Sequence, residues 1–279
     1  MPESTAGADD RTEPGGSRRL DAALAGSGLV RSRTQAVRLI TDGLVTVDGV
    51  VVVKPSAPVR DDQVLQVAGV DHYVSRAAHK LAAALDAFPV PVAGRQALDV
   101  GASTGGFTQV LLERAAASVV ALDVGHGQLD PLISRDDRVT VIEGFNAREL
   151  TPASLNDAVG HPVEPQLVVA DLSFISLPIV LPALVDTVGL AADYVLLVKP
   201  QFEVGRTGIR EGIVHDRGLR ADAVTGVLWA AWDLGLATAG VIPSPIAGTA
   251  GNREYLVWLS AGVGSNPTEW LDRVEQLCR

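Results

Sequence analysis

The chain has 279 residues, 47% of them hydrophobic, and a formal net charge of −10. That length suits one large α/β domain with room for a smaller one. No run of 18 apolar residues lacks charge, and the polar, acidic first 17 residues lack an apolar segment, so neither a membrane span nor a secretory signal is expected. The single cysteine, Cys278, cannot form an internal disulfide, which favours a reducing cytoplasm, and no Cys/His cluster has metal-ligand spacing.

The first part of the chain predicts a disordered tail and then a compact unit. Residues 1–17 are rich in Gly, Ser, Pro and acids, a composition that favours disorder. A short helix is predicted over 19–25, and a second begins at Ser32 or Arg33 and closes at Gly43. Asp48-Gly49 between β-branched runs predicts a hairpin, with a further strand over 64–67. Residues 18–68 therefore form a small α+β unit.

Charge is distributed unevenly along the chain. Residues 18–60 carry seven basic and three acidic side chains, a local charge of +4, whereas residues 1–17 carry −3. A basic unit inside an acidic protein is what contact with nucleic-acid phosphates requires. The candidates for that contact are Arg18, Arg19, Arg31 and Arg33. The alternative is an ordinary solvated surface of mixed charge.

A linker over 69–74 separates this unit from an alternation of strands and helices. Ser75 is expected to cap a helix that ends at Pro89. Strands are predicted over 97–100, 118–123, 139–142, 166–170, 193–198, 238–242 and 254–259. Helical segments separate most of them, which is typical of a doubly wound sheet, and a last helix is expected over 268–277.

The most informative motif is the glycine-rich stretch 98–107, which reads LDVGASTGGF. A strand, a glycine turn and a helix form the opening unit of a nucleotide-type α/β site. The spacing is G-x-x-x-G-G rather than the dinucleotide fingerprint G-x-G-x-x-G. This difference favours S-adenosylmethionine over NAD, because S-adenosylmethionine has no pyrophosphate to hold. The alternative is a turn that only packs a helix on a strand.

Polar residues follow the predicted strands at the edge where ligands bind in open α/β sheets. Asp99, Asp123, Asn146, Asp171 and Lys199 lie at or just beyond strand ends, Glu254 opens the last strand, and Lys80 lies on the helix before the glycine strand. Two lysines and two carboxylates near one edge form either a structural ion network or a reaction centre. A lysine directly after an apolar strand needs a partner, because a buried ammonium is costly.

The chemical alternative is methyl transfer to a ribose 2′-hydroxyl, a poor acid that needs a base. A free lysine has a pKa of about 10.4. Burial and a neighbouring cation lower the pKa of such an amine into the working range of a base. Lys80 beside Lys199 supplies that repulsion in this hypothesis, while Asp171 and Glu254 orient the amines. The remaining task is to align oxygen, methyl carbon and sulfur.

These residues resemble the TlyA, or hemolysin A, family. The resemblance lies in Arg19-Leu20-Asp21, in the segments 31–33, 45–49 and 74–81, and in the motifs at 99–107, 123–129, 171–176 and 198–203. It implies an S4 RNA-binding domain over 18–68, joined to an FtsJ-like, Rossmann-like class I methyltransferase over 75–279. The chain departs from the family at the linker, where Asp71-His72-Tyr73-Val74 stands in place of an Arg-x-Trp-Val sequence.

The resemblance implies 2′-O-methylation of cytidine in 16S or 23S ribosomal RNA, or both, with S-adenosylmethionine as cofactor. It implies a catalytic tetrad of Lys80, Asp171, Lys199 and Glu254. The residues expected to bind the cofactor are Asp99, Gly101, Ser103, Gly105, Gly106, Phe107, Asp123, Asn146 and Asp171. Two alternatives stay open, a membrane-active hemolysin and a noncatalytic ribosome-assembly factor. The first needs a span or an amphipathic surface, and the second has no need of both lysines.

Overall fold

The computed structural model describes residues 17–30, 32–68, 72–205 and 208–279, and the chain divides into two compact units between His72 and Tyr73. That boundary lies within the predicted linker 69–74, and the predicted tail falls outside the described residues except for Ser17. Within the described ranges, no helix has the length and apolar character needed to cross a membrane.

The first unit is a small α+β domain. Its elements are β1 (Arg18–Arg19), α1 (Leu20–Gly26), α2 (Arg33–Thr41), β2 (Val45–Val47), β3 (Val50–Val51), β4 (Pro58–Val59) and β5 (Leu65–Val67). β2 lies between β3 and β5 in an antiparallel sheet, and β1 pairs with β4. The two helices, the hairpin and the following strand are confirmed, whereas the β1–β4 pair was not predicted.

A hairpin turn, a helix cap and two buried side chains explain why the first unit adopts this fold. Asp48 and Gly49 have φ values of 50° and 81°, as a two-residue hairpin turn of the mirror-image type requires. The side chain of Ser32 accepts a hydrogen bond from Gln35 N and so caps α2. Leu20 and Ile40 are completely buried between the helices and the sheet, and they anchor the apolar core.

The second unit is built on one mixed sheet. Its strands are β6 (Gln96–Val100), β7 (Ser118–Leu122), β8 (Val139–Ile142), β9 (Leu167–Ala170), β10 (Asp193–Val198), β11 (Ala237–Pro243) and β12 (Tyr255–Ser260). The strand order is β11-β12-β10-β9-β6-β7-β8. Its helices are α3 (Ala78–Ala87), α4 (Gly106–Glu113), α5 (Pro131–Ser134), α6 (Pro152–Val159), α7 (Leu177–Val188), α8 (Pro200–Glu203), α9 (Arg217–Asp233) and α10 (Leu271–Leu277). Apolar cores lie on both faces of the sheet, so the doubly wound prediction is confirmed.

The antiparallel strand β12 brings distant parts of the sequence to one edge. β6 to β10 run parallel, whereas β12 runs against β10 with Tyr255 opposite Val198. The start of β12 therefore lies beside the end of β10, at the edge of the sheet where β9 also ends. This register places Glu254 at the same edge as Lys199.

Some predicted details at helix ends are wrong. Ser75 does not cap a helix with its side chain: residues 75–77 form a turn and α3 begins at Ala78. The last predicted helix is split, because Pro267–Trp270 form a 3-10 turn before α10. The sequence also favours an exposed turn at Pro200, after the strand that ends at 198, but Pro200 is buried and begins α8.

Candidate active site

The glycine turn after β6 is packed too closely for side chains. Gly101 has a φ of 82°, and a Cβ atom there would lie 2.9 Å from the carbonyl oxygen of Asp171. Ser103 also has a positive φ, 47°, and its backbone N–H donates to Asp123 Oδ2 over 2.8 Å. The turn is therefore tied to the end of β7 and packed against the segment that follows β9.

A cavity of about 800 Å³ lies beside this turn. Gly101, Ser103, Asp123 and Asn146 line it together with apolar side chains such as Phe145. We call it the turn cavity. Asp123 is held rigidly, since its Oδ1 atom accepts a hydrogen bond from Gly125 N over 2.7 Å. Asn146 accepts from Arg148 N and starts the 3-10 turn Ala147–Glu149.

Asp99 and Gly105, two of the residues expected to bind the cofactor, do not line the turn cavity. They do not line the smaller cavity described below either. The Asp99 carboxylate is fully buried and accepts a hydrogen bond from Thr108 Oγ1 over 2.6 Å. Burial raises the pKa of Asp99 to about 7. Gly105 caps α4 with a φ of 95°, and a Cβ atom there would lie 2.8 Å from Leu129. The structure thus gives Asp99 and Gly105 roles in packing under the turn.

The second, smaller cavity of about 240 Å³ contains the predicted tetrad. Lys80 Nζ lies 2.6 Å from Glu254 Oε2 and 3.9 Å from Asp171 Oδ2. Lys199 Nζ lies 2.6 Å from Asp171 Oδ1. The four side chains form a continuous chain of alternating charge, which we call the lysine cluster. Gly106 and Phe107 also line this cavity.

Each member of the lysine cluster comes from a different element. Lys80 lies on α3, Asp171 follows β9, Lys199 follows β10 and Glu254 precedes β12. Side-chain exposure is 15% or less for all four. Two cations and two anions balance, which offsets much of the cost of burying the charges. Gly101, Ser103, Asp171 and Ser173 line both cavities, so the lysine cluster lies directly beside the turn cavity.

The motif at 171–176 was recognised in the sequence, but only Asp171 was assigned to the site, and Ser173 and Phe174 were not. Ser173 Oγ accepts a hydrogen bond from Lys199 Nζ over 2.8 Å. Phe174 is 92% exposed, has a φ of 65°, and lies with its ring centroid 5.2 Å from that of Phe202. An exposed aromatic ring on strained backbone at a cavity rim is a sign of function. The signal available in the sequence was the adjacency of these residues to Asp171.

The arginines predicted to contact RNA carry acidic partners within the first unit. Arg18 pairs with Asp61 over 2.6 Å, and both side chains are mostly exposed. Arg19 and Arg33 both pair with the buried Asp21. Arg31 lies outside the described residues.

The doubly wound sheet with one antiparallel strand, the glycine turn at its edge and the adjoining cavities define a Rossmann-like methyltransferase unit. The chain belongs to the FtsJ-like methyltransferase family, whose profile matches residues 73–261. The profile of the S4 domain matches residues 18–65 of the first unit. The resemblance expected from the motifs is therefore confirmed.

Known relatives cover most of the chain. It is 53% identical to the 16S/23S rRNA (cytidine-2′-O)-methyltransferase TlyA of Mycobacterium tuberculosis, over 86% of this chain and 89% of the relative. It is 38% identical to hemolysin A of Brachyspira hyodysenteriae, over 85% and 98%. A solved structure from Streptococcus thermophilus, also named as a hemolysin, superposes with a TM-score of 0.69 at 37% identity, over 94% of this chain and 95% of that one.

Proposed function

We propose that this chain transfers a methyl group from S-adenosylmethionine to the ribose 2′-hydroxyl of a cytidine in 16S or 23S ribosomal RNA, or both. The observation that carries the proposal is the position of the lysine cluster directly beside the turn cavity, with four lining residues in common. Identity of 53% to a relative named for this activity supports the substrate. The S4 match supports RNA as its class.

The residues around the glycine turn fit S-adenosylmethionine. Gly101 and Ser103 line the turn cavity, and the missing Cβ atom of Gly101 lets this turn pack against Asp171. Asp123, at the end of the next strand, is placed to accept hydrogen bonds from ribose hydroxyls. Phe145 and Leu122 supply an apolar wall suited to an adenine ring. When bound, the cofactor supplies a methyl group already activated by a positively charged sulfur.

The lysine cluster then has to handle one proton. As the 2′-oxygen bonds to the methyl carbon, the bond from that carbon to sulfur breaks and its electron pair stays on the sulfur. The hydroxyl proton leaves at the same time, and we assign the uncharged amine of Lys199 as its acceptor. Asp171 and Ser173 orient that amine from two directions. Lys80, held by Glu254, lies across Asp171 from Lys199 and carries the positive charge that remains in the cluster while Lys199 is uncharged. Burial excludes water, so these charges act more strongly than they would in solvent.

The target nucleotide has to leave its stack to reach this cluster, if it lies in a helix. Phe174 stands exposed at the rim, beside the Lys199 loop, and offers its face to the extruded base. Stacking on an aromatic side chain is worth about 1–3 kcal/mol per base. Such an enzyme would meet ribosomal subunits in the cytoplasm, the compartment expected from the single cysteine.

The test is transfer of tritium from methyl-labelled S-adenosylmethionine to purified small and large ribosomal subunits, followed by mapping of the labelled nucleotide. We expect label on the ribose of a cytidine. Label on a base, or no transfer by a chain that binds the subunits, would contradict the proposal. The second outcome is what a noncatalytic assembly factor would give.

A further inference from the structure

One buried carboxylate in the first unit holds two exposed arginines. The side chain of Asp21 is 4% exposed. Arg19 donates from Nε and Nη2 to the two oxygens of Asp21 over 3.1 and 2.9 Å. Arg33 donates from the same pair of nitrogens, with Nε 3.2 Å from Oδ2 and Nη2 3.1 Å from that oxygen. We call this group the arginine cluster.

The arginines remain available to a ligand. Their side chains are 54% and 57% exposed, and the contacts with Asp21 use two of the five N–H donors of each guanidinium. The hydrogen bond from Arg19 is the largest cause of a lowered pKa of Asp21, about 2, so the acid is ionised at neutral pH. The cluster therefore carries a net charge of +1 in a fixed arrangement.

The ion pair between Arg18 and Asp61 shows how an exposed acid affects its arginine partner. Arg18 and Asp61 lie 2.6 Å apart with side chains 59% and 63% exposed. A surface pair of this kind holds its members weakly, and its acid mainly reduces the local positive charge. Asp21 differs because it is anchored in the domain and contacts both guanidinium groups through their planar edges.

Guanidinium groups that are already fixed in place bind phosphate at a lower entropic cost than mobile ones. An arginine side chain loses rotamer entropy when it is fixed on a ligand, so an arginine that is already ordered loses less on binding. We propose that Asp21 is a positioning residue that orders Arg19 and Arg33 as a paired clamp for the RNA backbone. The inference rests on the proposed function, because it takes ribosomal RNA as the ligand.

The direction in which Asp21→Asn changes the affinity for RNA distinguishes a positioning role from a simple effect of charge. Asp21→Asn and Asp61→Asn each remove one negative charge from the first unit. Charge alone predicts tighter RNA binding by both variants. Positioning predicts that Asp21→Asn weakens the affinity for purified ribosomal subunits roughly tenfold, whereas Asp61→Asn leaves it equal or tighter. It also predicts a shallower salt dependence for Asp21→Asn despite its added positive charge, because fewer phosphates are engaged.

A second comparison distinguishes the loss of arginine positioning from misfolding of the first unit. In a chain that already carries Arg19→Ala and Arg33→Ala, Asp21→Asn is expected to change subunit affinity less than twofold. A further large loss in that background would show that Asp21 only maintains the fold, and would overturn the inference. Amide hydrogen exchange over residues 18–68 monitors the fold directly.

The outcomes also separate this inference from the proposed function. Equal or tighter binding by Asp21→Asn overturns the positioning role and leaves the methyltransferase proposal intact. Failure of the unsubstituted chain to bind either subunit overturns both.

Discussion

The lysine cluster and the arginine cluster use the same ion-pair chemistry in opposite surroundings. In the lysine cluster all four side chains are 15% exposed or less, and the charges balance. In the arginine cluster only Asp21 is buried, while both cations reach solvent and one positive charge is left over. Burial decides what each arrangement can do.

The difference follows from the cost of desolvation. Charges removed from water interact strongly and are expensive to leave unpaired, which suits a site that has to control one proton. Charges at the surface interact weakly and stay available to a polyanion, which suits a site that has to bind phosphates. Substitutions in the two clusters should therefore differ in both size and kind.

The largest effect on stability is expected from Glu254→Gln. This change leaves the buried Lys80 without its 2.6 Å carboxylate partner. Breaking a buried pair in this way costs about 3–5 kcal/mol, and Asp171 at 3.9 Å restores only part of it. All four tryptophans lie in the second unit, so their fluorescence during urea unfolding measures its free energy of unfolding.

The matched control is Asp61→Asn, which breaks the exposed pair with Arg18 in the other unit. Exposed pairs contribute about 0–1 kcal/mol, so the free energy of unfolding of the first unit should hardly change in this variant. Hydrogen exchange measures that free energy. Equal losses for Glu254→Gln and Asp61→Asn would remove the contrast between buried and exposed charge.

A smaller effect, on substrate rather than on stability, is expected from Phe174→Ala. Loss of about 1–3 kcal/mol of base stacking should raise KM for the ribosomal subunit about tenfold. The unfolding free energy should change by less than about 0.5 kcal/mol, because the ring is exposed. Leu132→Ala is the control, since Leu132 is also exposed but lines neither cavity. An unchanged KM for Phe174→Ala would show that the ring does not meet the substrate.

The smallest expected effect concerns Asp99 and pH. Its folded-state pKa of about 7 lies above the ordinary value of 3.8 because the carboxyl is buried. The stability that the protonated group contributes is thus complete below pH 4 and is lost as the pH rises through 7. Asp99→Asn does not ionise, so its stability relative to the unsubstituted chain should rise by at least about 1 kcal/mol between pH 5 and pH 8. A pH-independent difference in urea unfolding free energy would contradict this.

The sequence specified the strands and the glycine turn well because both depend on local patterns. Apolar runs of five or six residues and the G-x-x-x-G-G spacing are visible without tertiary information. The position of Asp99 was harder to predict, because which side chain of a strand faces the cavity depends on the packing of α4 against it. The exposed Phe174 depends on a positive φ that no neighbouring residue requires. Ser75 failed as a cap because the turn at 75–77 delays α3.

The lysine cluster was found by motif, but its geometry came from topology. Glu254 stands 174 residues from Lys80 and reaches it because β12 runs antiparallel. Nothing local in the sequence sets that direction. Asp21 was part of a recognised motif, yet its contact with Arg33 emerges only from the packing of α1 and α2.

The most direct measurement is the single-turnover rate of methyl transfer at saturating S-adenosylmethionine and ribosomal subunit, for the unsubstituted chain, Lys199→Ala and Lys54→Ala. Lys54 is an exposed lysine outside the lysine cluster. Loss of a general base should slow Lys199→Ala about 10²–10⁴-fold, with subunit affinity unchanged and the Lys54→Ala rate close to normal. A Lys199→Ala rate comparable to that of the unsubstituted chain would show that the lysine cluster does not take the proton from the ribose.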